Sequence, residues 1–359
     1  MKYEQEFPLA VTKVAGLSRQ FDLSKPEERH DYYEAKAGTE MEKLRAYFDR
    51  GGTFVAYLLG KKNSGKGTYT KMLVGLFGED KIGHISVGDV IRDTHLEIED
   101  ETKKAALIDY LTKNYRGYIS IEEGLNALLN RDPKTLLPDE FTMALIKREI
   151  DKIGRKTILI DGFPRNLDQV SYALFFKQLI DYRDDPDIFV AIDVPEAVID
   201  ERMKTRAVCP LCHTPRSFKL LTTSNIGYDE ETKEFYLKCD NPACQHARLV
   251  PKEGDHLGLE SIRERLDLDG RLVEKIFSLH GVSKILLRNA IPVSLAAEYV
   301  DDYEITPEYY YEYDAATKKV TTLEKPFMVK DDEGVDVYTL LAPPVGVSFL
   351  KQLVKTLGL

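Results

Sequence analysis

The stretch from Thr53 to Thr68, TFVAYLLGKKNSGKGT, constrains this chain more than any other. The apolar run Phe54–Leu59 has the length of a buried parallel strand. It breaks at Gly60, and Gly65, Lys66, Gly67 and Thr68 then lead into an amphipathic segment, Tyr69–Phe77. Strand, glycine-bounded loop and helix in that order form a phosphate-binding loop. Backbone N–H groups at a helix N-terminus can surround a polyphosphate without steric interference. Lys66 adds a mobile cation. The usual pattern places Ser or Thr directly after the Lys, whereas here Gly67 intervenes before Thr68.

The rest of the chain narrows the class. It has 359 residues, enough for a large core and two or three lobes. Its formal net charge of −10 argues against a general nucleic-acid binder, which would present a basic face. No apolar run approaches the roughly 20 residues that span a bilayer. The opening MKYEQEFPLAV lacks a basic stretch followed by an apolar core, so no secretion signal is expected. The expectation is a reduced cytoplasmic enzyme, monomeric, with no membrane and no nucleic-acid partner.

Read in order, residues 1–50 form a charged extension, with a helix start at Pro26–Arg29 and an apolar helical stripe from Met41 to Phe48. His84–Ser86 reads as a second strand, and Val87-Gly88-Asp89 opens a helix. Residues 93–150 are helical in pattern, with breaks near Tyr115–Gly117 and at Asp132-Pro133. Pro138-Asp139-Glu140 starts a helix running from Phe141 to Ile153. Thr157–Ile160 is a third strand, ending in Asp161-Gly162-Phe163-Pro164-Arg165. Ile188–Ile192 is a fourth, followed by a helix from Glu196 to Arg206. Strands separated by helices imply a parallel sheet with right-handed crossovers. Ligands of such sheets gather beyond the carboxyl ends of the strands, where the phosphate loop, Asp89 and Asp161 fall. After a segment of short alternating strands, helices are expected over Leu259–His280 and Val282–Tyr299. A hairpin turn is expected at Asp331–Gly334, the fifth core strand over Val335–Leu341, a turn at Ala342–Gly346, and a closing helix from Val347 to Leu357.

Two sets of residues carry chemistry. Cys209-x2-Cys212 and Cys239-x4-Cys244 are two close pairs separated by 26 residues. Such pairs can close a tetrahedral structural zinc site, with His213 or His246 near enough to replace a thiolate. Bound zinc would fold a segment too polar to make its own core. Asp161 ends a buried strand beside the phosphate loop, where a carboxylate can hold Mg²⁺ through water. Arg92, Arg165, Arg202, Arg206 and Arg265 punctuate separate elements that border one cleft. Phosphoryl transfer consists mainly of positioning groups and neutralising spread negative charge. A phosphate loop with several convergent arginines therefore fits transfer between two phosphorylated substrates better than hydrolysis.

These residues resemble the adenylate kinases and their nucleoside monophosphate kinase relatives. The matches are GKKNSGKGT at 60–68, HISVGDVIR at 84–92, LLPDE at 136–140, ILIDGFPRNLDQ at 158–169 and ERMKTR at 201–206. The resemblance covers roughly residues 53–300 and 335–359. It implies an α/β fold of the P-loop NTPase type: a parallel five-stranded sheet flanked by helices, with an NMP-binding arm and a zinc-ribbon-like lid. The expected divisions are an N-terminal extension (1–50), core (51–86), an enlarged arm (87–156), core (157–206), lid (207–258), core helices (259–302), an insertion (303–334), and a final strand and helix (335–359).

Carried over by position, the resemblance implies that Gly60, Asn63, Ser64, Gly65, Lys66, Gly67 and Thr68 bind the ATP phosphates, with Arg202 and Val345 at the adenine. Val87, Gly88, Arg92, Arg165 and Gln169 would hold the NMP, Gln169 reading its base. Asp89 and Asp161 would orient hydrated Mg²⁺. Arg206 and Arg265 would face the transferring phosphoryl group, and Cys209, Cys212, Cys239 and Cys244 would bind the lid zinc. Lys252, in Val250–Asp255, stands where the family usually has an Arg, keeping the charge but losing the bidentate fork. Val87 replaces the Thr that adenylate kinases place beside AMP; it, Pro138 and Asn166 resemble pyrimidine-specific relatives, while Gln169 fits adenine. The expected reaction is ATP + AMP ⇌ 2 ADP. The alternatives are a UMP/CMP kinase and a nucleotide-sensing module without turnover. A nucleic-acid-binding zinc ribbon is a further reading, and the acidic balance counts against it.

Overall fold

The computed structural model describes residues 7–130, 137–174, 185–252 and 254–359. The expected break at Asp132–Pro133 and Glu253 of the lid stretch lie outside them. Helix α1 (Pro26–Asp49) starts with proline in its first turn, where a missing N–H costs nothing. The phosphate-loop unit follows as β1 (Val55–Gly60) and α2 (Lys66–Phe77). Next come β2 (Ile82–Ser86) and the arm helices α3 (Val87–Glu97), α4 (Glu101–Asn114), α5 (Ile121–Leu129) and α6 (Asp139–Ile153). The sheet resumes with β3 (Thr157–Asp161), α7 (Leu167–Leu174), β4 (Asp187–Asp193) and α8 (Glu196–Lys204). A cysteine module holds β5 (Arg206–Val208), β6 (Pro215–Ser217), β7 (Ile226–Asp229), β8 (Glu234–Leu237) and β9 (Val250–Pro251). A 3₁₀ stretch, Asp255–Ile262, leads into α9 (Arg263–Ser278), and then β10 (Ser283–Arg288), β11 (Ala290–Pro292) and α10 (Val293–Tyr299). Two hairpins, β12 (Pro307–Asp314) with β13 (Lys319–Pro326) and β14 (Met328–Lys330) with β15 (Asp336–Thr339), precede the last helix, α11 (Ala342–Thr356).

The core sheet has the order β10-β4-β1-β3-β2, and every pairing in it is parallel. Both faces are covered, so β1 is apolar on both sides. Ala56 and Leu58 pack with α1, α2 and α11, while Val55, Tyr57 and Leu59 face α6 and α9. A strand buried on both faces reads as a continuous apolar run and not as an alternation.

Three expectations are corrected. The fifth core strand is β10, at 283–288, inside the range expected to be helical. The segment expected to supply it, Val335–Leu341, instead contains β15, which pairs antiparallel with β11 and β14 in a separate small sheet. Ile285 and Leu287 are buried and alternate with half-exposed Lys284 and Leu286, as befits an edge strand. Periodicity does not separate such a short apolar run from a helix face. The expected turn at 342–346 is the first turn of α11. The Asp331–Gly334 turn does join β14 to β15.

The β12–β13 hairpin lies against the cysteine module. Tyr311 OH donates to Phe218 O and accepts from the Thr222 hydroxyl, each at 2.6 Å. Tyr313 stacks on Tyr228 with ring centroids 4.1 Å apart and bonds Glu230. Lys219 bridges Glu201 and Glu308 at 3.0 and 2.9 Å.

Candidate functional site

The loop after β1 is shaped by one close approach. At Gly60, φ is +143°, and a Cβ would lie 2.5 Å from the backbone oxygen of Ile192 on the neighbouring β4. Only glycine fits there. Gly65, also left-handed, precedes the first residue of α2. Within the loop the Lys66 ammonium folds back onto Gly60 O and Lys61 O at 2.9 and 3.2 Å. Burial pushes its pKa down, and the charges of Asp161 and Asp269 oppose that shift. Asn63 Nδ2 and Ser64 Oγ are out of solvent with no hydrogen-bond partner among the described residues. Unmet donors at the start of α2 suit an anion with several oxygens. A Cβ on Gly67 would meet nothing within 4 Å, so the fold's own packing does not require glycine there.

Asp161 closes β3 and pairs in register with Leu58 of β1 and Ser86 of β2. Its charge and that of Asp89 both bear on His84. Asp89 is also paired with Arg92, one turn along α3, and both side chains are mostly exposed. Arg165 donates from Nε to Gly162 O at 2.7 Å, and its Nη2 lies 3.5 Å from where a Cβ on Gly88 would be. The start of α3 and the loop after β3 therefore present Gly88 and Arg165 together. Val87, the first residue of α3, is buried.

Gln169 is buried and its amide is engaged at both ends. Oε1 accepts from Arg165 N at 2.6 Å, and Nε2 donates to Asp139 Oδ1 at 2.5 Å. Asn166 Nδ2 also reaches Asp139, at 3.2 Å. The structure thus ties the start of α6 to α7 through Asp139, Asn166 and Gln169.

Arg202 and Arg206 converge on the loop from the other side. Arg202 donates to Asn63 O at 3.1 Å and to Asn289 Oδ1 at 3.3 Å. Arg206 grips Asp255 with two nitrogens, at 2.5 and 2.8 Å, and reaches Asn63 Oδ1 at 3.2 Å. One arginine therefore joins the phosphate loop to the far end of the cysteine module. Lys252 is exposed, and its charge, like those of Arg206 and Arg265, bears on Lys62 of the loop. Val345 is not presented to this cleft. It is fully buried in the first turn of α11, in the core cluster shared with Tyr33 of α1, and its neighbour Gly346 packs on Tyr33 and Met72.

Two acidic residues with no place in the sequence argument belong to this cleft. Asp269, on α9, lines a small cavity with Gly60, Lys66, Gly162 and Arg265. Asp255 is the partner of Arg206. Asp269 follows Arg265 by four residues, a spacing that places both on one helix face and could have flagged it.

In the cysteine module the four Sγ atoms lie within 4.8 Å of one another, and Cys212 Sγ is 3.6 Å from Cys239 Sγ. A Zn–S bond of about 2.3 Å in a tetrahedron puts its sulfurs roughly 3.8 Å apart, so the donor set fits such a metal. Neither His213 nor His246 joins the cluster. Three of the module's six buried core residues are cysteines; the others are Ala207, Leu237 and Leu249.

Comparison with known proteins identifies relatives of the chain. Residues 59–208 match the model of an AAA domain. An adenylate kinase of Kosmotoga olearia is 31% identical over 232 residues, spanning 58% of this chain and 95% of the relative. An adenylate kinase of Clostridium acetobutylicum is 30% identical over 220 residues, 61% of this chain and 83% of the relative. A probable UMP-CMP kinase 2 of Arabidopsis thaliana is 31% identical over 153 residues, 43% of this chain and 48% of the relative. No helix among the described residues is long and apolar enough to cross a membrane. With its phosphate loop, convergent arginines and four-cysteine lid module, the chain is a phosphotransferase and belongs to the adenylate kinase and nucleoside monophosphate kinase family.

Proposed function

We propose that the protein transfers the terminal phosphoryl group of ATP to AMP, reversibly and with Mg²⁺, giving two ADP. The observation that carries this reading is the meeting of two phosphate-facing sets over adjacent strand ends. The loop after β1, with Lys66, Arg206 and Arg265, forms one set, and Gly88 with Arg165 forms the other. Hydrolysis needs only the first; a phosphorylated acceptor calls for the second.

Lys66 and the loop N–H groups hold the donor phosphates, and Arg202 lies at the loop's outer side. Arg165 and Arg92 neutralise the acceptor phosphate once Arg92 turns from Asp89. Arg206 and Arg265 meet the charge that develops on the transferring group, where preorganised cations lower the barrier most. Asp161 and Asp89 would hold a hydrated Mg²⁺, which would supply charge neutralisation to the donor phosphates. The cysteine module (207–258) acts as a lid and residues 87–156 as the acceptor arm; together they close to exclude water. Zinc on the four cysteines supplies the lid with the core its sequence lacks. Free thiols in place of disulfides fit a reducing cytoplasm.

The orientation of Gln169 supports AMP. The carboxylate of Asp139 can only accept when ionised, so the Gln169 nitrogen faces it and the oxygen faces Arg165 N. One N–H and one lone pair remain, an adjacent donor and acceptor that complement the N1 and N6 edge of adenine. Val87 and the Arabidopsis relative favour UMP or CMP instead. Measuring kcat/KM for AMP, dAMP, CMP, UMP and GMP at saturating MgATP decides between them. AMP should lead, and CMP or UMP far outpacing it would overturn the assignment.

A further inference from the structure

Asp269 sits on the face of α9 that otherwise supplies core residues, among them Leu266, Leu272, Val273 and Ile276. It is 5% exposed. Burying a carboxylate is costly unless it is paired and hydrogen-bonded, and beside a phosphate site it also repels the ligand. Here it is satisfied from two directions. Oδ1 accepts from Arg265 Nε at 2.9 Å, and Oδ2 accepts from the backbone N–H of Lys62, inside the phosphate loop, at 3.1 Å. The Lys66 ammonium feels the same charge. Arg265 makes no other bond or ion pair among the described residues.

We propose that Asp269 is a positioning residue for phosphoryl transfer. It locks α9 to the phosphate loop, and by occupying Nε it aims both terminal nitrogens of Arg265 at the transferring group. The proposal rests on the phosphotransferase reading above, with Arg265 at that group. Guanidinium geometry makes the role specific. The fork is planar and rigid, so fixing Nε fixes the direction of the other two nitrogens. Misplacement of such a group by about 1 Å can cost about 100-fold in rate. Because Lys62 N–H and Arg265 hang on the two oxygens of one carboxylate, the donor-phosphate cradle and the charge-neutralising arginine keep a single register.

The test is a double-mutant cycle on the full chain, with steady-state ADP formation as the readout. Asp269→Ala should lower kcat at least about 10-fold while KM for ATP and AMP changes by less than about threefold. In an Arg265→Ala background the same substitution should cost less than about twofold, because its effect passes through Arg265. Asp269→Asn keeps the shape and one acceptor oxygen but sets its NH2 against one of the two donors, so it should melt between the alanine variant and wild type and show an intermediate kcat. This variant reports on position even if the alanine variant is unstable. Unchanged kcat in Asp269→Asn and Asp269→Ala, or equal losses with and without Arg265, would overturn the proposal while leaving the functional reading intact. A folded wild-type protein that forms no ADP from ATP and any nucleoside monophosphate would overturn both.

Discussion

Replacing Lys36 by Met tests how the N-terminal helix is joined to the catalytic core. The Lys36 ammonium lies 2.6 Å from Asp301 Oδ2 and 3.6 Å from Glu304 Oε1, and the side chains of Lys36 and Glu304 are both 0% exposed. Glu304 also accepts from Tyr32 OH at 2.6 Å, Thr12 Oγ1 at 2.5 Å and Asp301 N at 2.7 Å. Met preserves the length and the apolar stem, so the substitution removes charge with little change in packing. At 3.6 Å and an effective dielectric of 20, the lost attraction to Glu304 alone is about 4–5 kcal/mol before desolvation is counted. Removing one partner of a buried pair costs about 3–5 kcal/mol. The three hydrogen bonds left on Glu304 offset part of that, so a loss of about 3 kcal/mol is expected. Against a total of about 5–15 kcal/mol, that is a large fraction. Urea unfolding at neutral pH, followed by far-UV circular dichroism, reads it as a shift in the first transition. Adding Glu304→Gln removes the stranded charge and should restore at least about half of the loss. A single variant within about 1 kcal/mol of wild type, or a double variant less stable than the single, would refute the reasoning.

Three further outcomes follow from the geometry. Gly60→Ala sets a Cβ 2.5 Å from a backbone oxygen that cannot rotate away. Strain plus overpacking should cost about 3–5 kcal/mol and abolish nucleotide binding; thermal melting and ATP titration check both, and a variant of normal stability contradicts the fold of the loop. Metal analysis should find about one zinc per chain, and chelation should lower the melting of residues 207–252, whose core is half cysteine; metal-free protein of unchanged stability would refute the site. Tyr311→Phe removes two hydrogen bonds between the β12–β13 hairpin and the module. At about 1 kcal/mol each, amide exchange in residues 215–237 should quicken roughly 10- to 30-fold, and unchanged protection would show that the hairpin does not brace the lid.

The parts of the site that depend on local spacing were legible in the sequence. Gly60 to Thr68 announce their loop because a close backbone approach and a phosphate cradle admit few residue types. The cysteine pairs announce their cluster because four thiols gathered by short turns have few other uses. What escaped depends on contacts distant in sequence. β10 hides in an apolar run too short to show its period, and its place at the sheet edge is decided by pairing with β4. Asp269 reads as one charge among many on an amphipathic helix until the loop N–H of Lys62 is found on it. Val345 shows the converse: the resemblance sends it to the adenine, but Tyr33 of the N-terminal helix packs over the neighbouring Gly346 and the turn lies in the core. The stretch 309–313 is rich in tyrosine, but nothing in it names the cysteine module as its partner.

The central claim is that the chain joins two phosphorylated nucleotides, and the stoichiometry of the reaction tests it most directly. ATP, AMP and Mg²⁺ incubated with the protein and resolved by ³¹P NMR should give two ADP for each ATP consumed, with no inorganic phosphate, and ADP alone should run the reaction backwards. Release of inorganic phosphate at a rate independent of any nucleoside monophosphate would show a hydrolase, and the account would be wrong.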